Sequence, residues 1–340
     1  MQLHIASPED RAVKVRVPIN GVNQGMFLQV RDPGSPVLLF LHGGPGMPEF
    51  WLTRRHPTRL HEAFTVAWWE QRGAGLSYHR DIPAETMTVE QFIADTITVA
   101  QYLCQRFGVD KVHLMGHSWG SFFGLQAAAR APELFGTYIG MAQATHQIAS
   151  EQEAHHLMLE AYRARGDRRM VRRLERYPVT GAIPLPHGYE VLRDPAMHRL
   201  GVGTTHDMRS VVTGIFLPSL ASPDHTPGDK LNLWRGRRFS RRFGLWEQML
   251  ATDLTTVVTR LPIPAYFLHG RHDRTVSYHL AQAYAGQLDA PLIGFYTFDQ
   301  SAHSPAFEEP DRTLQILTED VLTGTTTLAD PPPTVDPRTS

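Results

Sequence analysis

The stretch "KVHLMGHSWGSFFGLQAAARAP", residues 111–132, decides the fold. An apolar strand pattern runs into a lone serine, Ser118, and a helical pattern leaves it. Gly116 and Gly120 lie two residues before and two after. A strand that turns sharply into a helix crowds the residues beside the turn, so small residues are needed on both flanks. Such a turn lifts the serine hydroxyl out of the backbone. The plainer reading is a glycine turn with no chemistry, and the neighbouring segments have to decide between the two.

Working outward, the same alternation repeats. "AVKVRVPI" and "GMFLQVRD" carry β patterns on either side of "NGVNQG", a turn-rich connector. "PVLLFLHGG" (36–44) and "FTVAWWEQRG" (64–73) are continuous apolar runs, as expected of strands covered on both faces. Thr88 is placed to N-cap a helix, with Gln91 three residues on, and Gly108 to stop it. "TYIGMAQ" is a further strand. Strand–helix alternation of this kind predicts an α/β fold, a mostly parallel central sheet with helices on both faces. From about His146 to Leu245 the pattern changes to helices and Pro/Gly-rich connectors, with "PLPHGYEV" and "SLASPDHTPGDK" read as loops. Strands return at "IPAYFLHGRHD" and "PLIGFYTFDQ", and a helix closes from Pro310 to Leu322. The expected organisation is a core of residues 1–145 and 246–323, a helical insertion at 146–245, and a tail, 324–340, too poor in apolar residues to pack.

Composition narrows the class. The 340 residues carry a net charge of −1, so no global field favours nucleic acid. The single cysteine, Cys104, excludes an internal disulfide and fits a reducing compartment. No signal-peptide pattern opens the chain and no apolar run is long enough to span a bilayer, so a cytoplasmic protein with no membrane partner is expected.

A serine nucleophile needs a base for its proton and donors for the oxyanion. The N–H of Trp119, directly after the serine, is the first expected donor. The second is expected from Gly43 or Gly44 in "HGGPG" (42–46), where glycines leave backbone amides unobstructed. The acid and base are expected in the order Ser, Asp, His along the chain, at the carboxyl ends of late strands. Asp273 in "HGRHDRTVS" and His303 in "FDQSAHSPAFEEP" fit, with Glu308 and His272 as competitors. His42 and His117 are expected to orient loops. His155 and His156 lack partners at metal-ligand spacing, so neither a metal nor a cofactor is implied.

Taken together, "HGGPG", "EQRGAGLS" (70–77), "GHSWGS" (116–121), "GRHD" (270–273) and "SAHSPAFEEP" (301–310) resemble, in order, segments of the α/β-hydrolase superfamily, and within it the proline iminopeptidase-like serine peptidases. The resemblance spans residues 12–322. It implies an α/β-hydrolase fold and a helical cap over the site, with cap carboxylates that select a free N-terminal amine. The chain departs from that pattern at His117, where the family has Gly, and at Glu70, where it has Asp. The amine-binding glutamate segment has no match. "LWEQMLATDL" offers Glu247, with Trp246 beside it, as substrate-binding candidates instead. The arginine-dense "RARGDRRMVRRLER" and "RGRRFSRRF" read as solvated helix faces, with an anionic partner as the alternative.

The expectation is a serine hydrolase with Ser118, Asp273 and His303 at its centre, cleaving an amide or ester bond of a small molecule or short peptide through an acyl-enzyme. Aminopeptidase or amidase activity comes first, and esterase, lactonase or thioesterase activity second. A non-catalytic ligand-binding protein on the same fold is the rival class. Nothing in the chain fixes its oligomeric state.

Overall fold

The computed structural model describes residues 12–331. The opening "MQLHIASPED" and the end of the tail, 332–340, lie outside the described residues. Eight strands form one sheet in the order β1-β2-β4-β3-β5-β6-β7-β8. They are β1 (Val13–Ile19), β2 (Val22–Gln29), β3 (Val37–Leu41), β4 (Thr65–Glu70), β5 (Val112–His117), β6 (Phe135–Met141), β7 (Ala265–Gly270) and β8 (Ile293–Phe298). β1 and β2 pair antiparallel, β2 pairs antiparallel with β4, and the other pairings are parallel.

The continuous apolar runs have the cause the sequence suggests. Leu39, Leu41, Ala67, Trp69, Leu114 and Phe267 face one hydrophobic cluster, and Leu38, Phe40, Val66, Trp68, Met115 and Leu268 face another on the opposite side. Successive side chains of a strand point to opposite faces, so a strand covered twice must be apolar at every position. Helices α1 (Val89–Phe107) and α2 (Trp119–Arg130) cover the first face. The α1 start is as expected: the Thr88 side chain accepts the Gln91 N–H at 3.2 Å, and Gly108 ends it at φ 64°. The connector between β1 and β2 is shorter than expected, because strand pairing continues to Ile19↔Val22. Only Asn20 (φ 44°) and Gly21 (φ 79°) turn, the two positive φ values that a tight hairpin requires and an Asn-Gly pair supplies.

Between β6 and β7 lie only helices and connectors: α3 (Gln147–Ala164), α4 (Arg168–Glu175), α5 (His187–Leu200), α6 (Leu217–Ala221), α7 (Pro227–Ser240), α8 (Leu245–Ala251) and α9 (Leu254–Val257). α3, α4 and α5 share their own apolar cluster, including Met158, Leu174, Tyr189 and Leu192. "PLPHGYEV", expected to be a loop, instead opens α5, and "PGDK" of "SLASPDHTPGDK" opens α7. Proline tolerated in a first helical turn and a Thr226–Asp229 capping box account for the second. The arginines of α4 point outward around buried Met170 and Leu174, as a solvated face does. The expected boundary at residue 245 cuts a helix that serves both sides. Leu250 of α8 packs into the insertion's cluster, while Leu245 and Met249 pack into the main core.

After β7 come α10 (Tyr278–Ala285), α11 (Pro305–Glu308) and α12 (Pro310–Ile316). The expectation of an unpacked tail fails for residues 324–331. The Asp320 carboxylate accepts from Thr325, Thr327 and the Leu328 amide, Leu328 and Ala329 cover the second core cluster, and the Asp330 carboxylate accepts the Thr297 N–H at 2.9 Å. Polar anchoring to a buried aspartate and to the β8 edge does what apolar content alone does not.

Candidate active site

Ser118 follows β5 at φ 52°, ψ −114°, in the region that non-glycine residues avoid at a cost of about 1–3 kcal/mol. The turn is held from both sides. Ser118 N–H donates to the Met141 carbonyl at 3.0 Å, and its own carbonyl accepts from Ser121 N, Ser121 Oγ and Phe122 N. The flanking glycines are obligatory. A Cβ on Gly120 would lie 2.2 Å from the Leu41 carbonyl oxygen, and one on Gly116 would lie 2.6 Å from the Gly120 carbonyl oxygen. Backbone on backbone leaves nothing that can yield. The plain-turn reading of G-x-S-x-G leaves this strain unexplained.

Asp273 follows β7 and His303 follows β8, so the sheet's carboxyl edge delivers both. His303 Nδ1 donates to Asp273 Oδ2 at 2.8 Å. Asp273 Oδ1 accepts the Thr275 and Val276 amides at 2.7 and 3.1 Å. Burial opposes charge on Asp273, but His303 and His269 beside it hold its carboxyl far below the usual range. Burial also lowers the His303 pKa. Asp273 works against that shift and the neighbouring His117 adds to it. Ser118 is 8 % exposed and His303 7 %.

The competitors have other work. His272 is partly exposed and stacks on His206 at 4.2 Å. Glu308 brackets His303 instead: its Oε1 accepts both the Ala302 and Ser304 amides, at 3.0 and 3.1 Å. Burial pushes the Glu308 pKa up to about 7 against those bonds.

The expected oxyanion donors gather at Ser118. Trp119 opens α2, where the first amides of a helix lack intrahelical partners. Its indole is buried and donates to Gln71 Oε1 at 3.2 Å, away from any ligand. Gly43 is so close that a Cβ on it would lie 3.5 Å from Ser118 Cβ. Gly44 has φ 133°, and a Cβ there would lie 2.5 Å from Gly46 N. His42 fixes this loop. Its Nε2 accepts the Gln71 N–H at 3.1 Å, so its Nδ1 carries the proton and donates to the Gly43 carbonyl at 2.7 Å.

Four residues were not legible as site residues: Glu49, Glu151, Arg193 and Gln147. Glu49 accepts the Gly43 N–H at 3.3 Å and bonds His117 Nδ1 at 2.7 Å. Glu151 of α3, fully buried, pairs through both oxygens with Arg193 of α5 at 2.7 and 2.6 Å. Arg193 Nη2 and Gln147 Nε2 then donate to the Thr275 carbonyl, next to the amide that holds Asp273. Their only sequence signal is a polar residue in an otherwise helical pattern, which says nothing of a partner 42 residues away. The substrate-binding candidates are placed elsewhere. Trp246 stacks over the Arg193 guanidinium at 6.0 Å, and Glu247 sits close enough to Glu190 to raise that residue's pKa, after burial and against Arg241. Neither makes a hydrogen bond, ion pair or ring contact with Ser118, Asp273 or His303.

A strained serine after a parallel strand, with an Asp–His pair on the loops of two later strands, defines a site of the hydrolase type. Residues 36–310 match the model of the alpha/beta hydrolase fold family, and the chain belongs to that family. It is 32 % identical over 310 residues to a probable aminopeptidase, YbaC, of Bacillus subtilis (strain 168), covering 89 % of this chain and 95 % of that one. It is 23 % identical over 290 residues to a proline iminopeptidase of Heyndrickxia coagulans, covering 84 % and 89 %. Among solved structures, the proline iminopeptidase of Mycobacterium smegmatis superposes with a TM-score of 0.65 at 18 % identity, covering 92 % of this chain and 98 % of that one. Among the described residues no helix is long and apolar enough to cross a membrane.

Proposed function

We propose that the protein is a serine hydrolase that cleaves an amide or ester bond of a small molecule or short peptide, with aminopeptidase-type substrates first. The observation that carries this is the 2.8 Å bond from His303 Nδ1 to a buried, ionised Asp273. It fixes the tautomer in which Nε2 is the free basic nitrogen. His303 Nε2 takes the Ser118 hydroxyl proton as Oγ attacks the substrate carbonyl carbon. The Trp119 amide, with that of Gly44, receives the oxyanion, because the Gly43 amide is engaged by Glu49. His303 then returns its proton to the leaving amine or alcohol as the bond to the acyl carbon breaks. Water, deprotonated by the same nitrogen, hydrolyses the resulting acyl-Ser118. No bond joins Ser118 Oγ and His303 Nε2 in the substrate-free protein. Such catalytic bonds commonly tighten only when substrate binds.

In this reading the helices between β6 and β7 act as a cap. The Gly203 and Val202 carbonyls accept the His303 and Arg274 amides at 3.2 and 3.3 Å, so the insertion leans on the base loop. The likeness to a probable aminopeptidase over nearly its whole length is the reason amide substrates are put ahead of esters in this reading.

The test is a chromogenic panel of prolyl and alanyl anilides, their N-acylated forms, and short and medium acyl esters. Ser118→Ala and labelling by a fluorophosphonate serve as controls. Turnover of free-amine anilides that N-acylation abolishes supports the aminopeptidase reading. Ester turnover indifferent to the amine moves the protein to the esterase reading. A wild-type protein that neither reacts with the fluorophosphonate nor turns over any substrate leaves the non-catalytic class.

A further inference from the structure

We propose that Glu49 and His117 form a second, charged histidine–carboxylate pair that positions the base of the reaction and ties its loop to the oxyanion loop. The proposal rests on the Ser118–His303–Asp273 reading above.

His117 Nε2 lies 2.8 Å from the His303 carbonyl oxygen, and Nδ1 lies 2.7 Å from Glu49 Oε1. A carbonyl only accepts. A neutral imidazole has one N–H and an ionised carboxylate has none, so the pair must hold two protons to make both bonds. Glu49 Oε1 also accepts the Gly43 N–H, which assigns it the role of acceptor and leaves both protons on the ring. His117 is therefore an imidazolium and Glu49 its counter-ion. Glu49 Oε2 is buried with no hydrogen-bond partner among the described residues, so the adjacent cation is what compensates this carboxylate's lost water. Burial lowers the His117 pKa, and Glu49, together with the His303 carbonyl and Asp273, more than reverses the shift.

The consequence is mechanical and electrostatic. One chain of bonds runs from the Gly43 amide, through Glu49 and His117, to the backbone of His303. It joins the end of β5 to the loops after β3 and β8. The His117 ring lies 4.8 Å from the His303 ring, centre to centre. His303 is thus faced by two carboxylates, Asp273 and Glu49, and by the His117 cation, while His117 is faced by Glu49, Asp273, His303 and His42. At His303 the His117 charge outweighs that of Glu49, and so it favours the neutral, proton-accepting base.

Glu49→Gln is the discriminating variant. Its side-chain amide can donate to His117 Nδ1, which keeps both His117 bonds while removing both charges and giving up only the 3.3 Å bond from the Gly43 N–H. The measurement is imidazole nitrogen NMR at about pH 8, where an unperturbed histidine is neutral, with His117→Gln to assign the signals, alongside pH–rate profiles on the best substrate of the panel. We expect two protonated ring nitrogens on His117 in the wild type and one in Glu49→Gln. In that variant kcat falls about tenfold, KM is unchanged, and the acid limb of kcat/KM moves up towards about pH 6.5. A His117 with one proton in the wild type, or superimposable profiles, overturns the proposal. A merely structural pair would cost stability without moving the acid limb. Fluorophosphonate labelling of wild-type Ser118 separates the two failures: no label sinks the serine-hydrolase reading itself, whereas a label with a neutral His117 sinks only the second pair.

Discussion

Three histidines have the same ring and three different fates: His113, partly exposed at the start of β5, and His117 and His303, buried at the sheet's carboxyl edge. His113 in β5 has no carboxylate partner. Burial alone takes its pKa down to about 4, and it bonds the Thr137 hydroxyl as a neutral group. His303 has Asp273 on one nitrogen and no partner among the described residues on the other, and its pKa remains lowered. His117, four residues after His113 on the same strand, has acceptors on both nitrogens, and its pKa is raised. The difference is not desolvation, which lowers all three. It is how many acceptors face the ring, because each bond to an acceptor-only group demands a proton. A base needs one nitrogen held and one free. A clamp needs both held.

The largest effect that would break this comparison is on His303. Asp273→Asn should turn the ring to the wrong tautomer and lower kcat by about 10⁴-fold, with the fold intact by circular dichroism. A loss below about tenfold would mean that His303 is not held by Asp273 for catalysis. Next comes the support behind Asp273. Arg193→Met leaves Glu151 as an unpaired buried charge and should cost about 3–5 kcal/mol in denaturant unfolding. Glu151→Gln with Arg193→Met removes the charge as well, and should recover a substantial part of that cost. If the double variant is no better than the single, the pair acts through packing and not through charge.

His113 sharpens the comparison through pH. Its folded pKa lies below the unfolded value, so the unfolded chain takes up the proton first as pH falls. Stability is therefore complete above about pH 6.5 and is lost progressively towards pH 4, by about 2 kcal/mol at pH 5. His113→Phe should remove that loss, so the drop in Tm between pH 8 and pH 5 narrows by roughly 4 °C. An unchanged drop would show that His113 takes up its proton at the same pH in the folded and unfolded states. The smallest effect is at the hairpin. Gly21→Ala at φ 79° should lower stability by about 1 kcal/mol without touching activity, because a Cβ there meets no neighbouring atom and only the backbone objects.

Local chemistry made much of this protein legible in its sequence. Apolar runs without polar interruption mean strands buried on two faces, and the sheet is built from them. G-x-S-x-G between a strand and a helix means a turn that only glycine neighbours permit, and the contacts at Gly116 and Gly120 supply the reason. Asp273 and His303 could be found because they directly follow strands whose common edge is a consequence of parallel pairing. Loop content was read less well, since "PLPHGYEV" and the 324–331 segment are ordered by capping and polar anchoring that composition does not reveal. The partners that set charge were not readable at all. Glu49 meets His117 across 68 positions, and Glu151 meets Arg193 across 42. No periodicity or spacing encodes such meetings, because they exist only once loops from different strands and helices from the insertion converge. The sequence by itself determined which residues could do chemistry. Only the tertiary structure decided which histidine is free to accept a proton and which is held as a cation, because protonation follows the number of acceptors around a ring, and those are brought together by the fold.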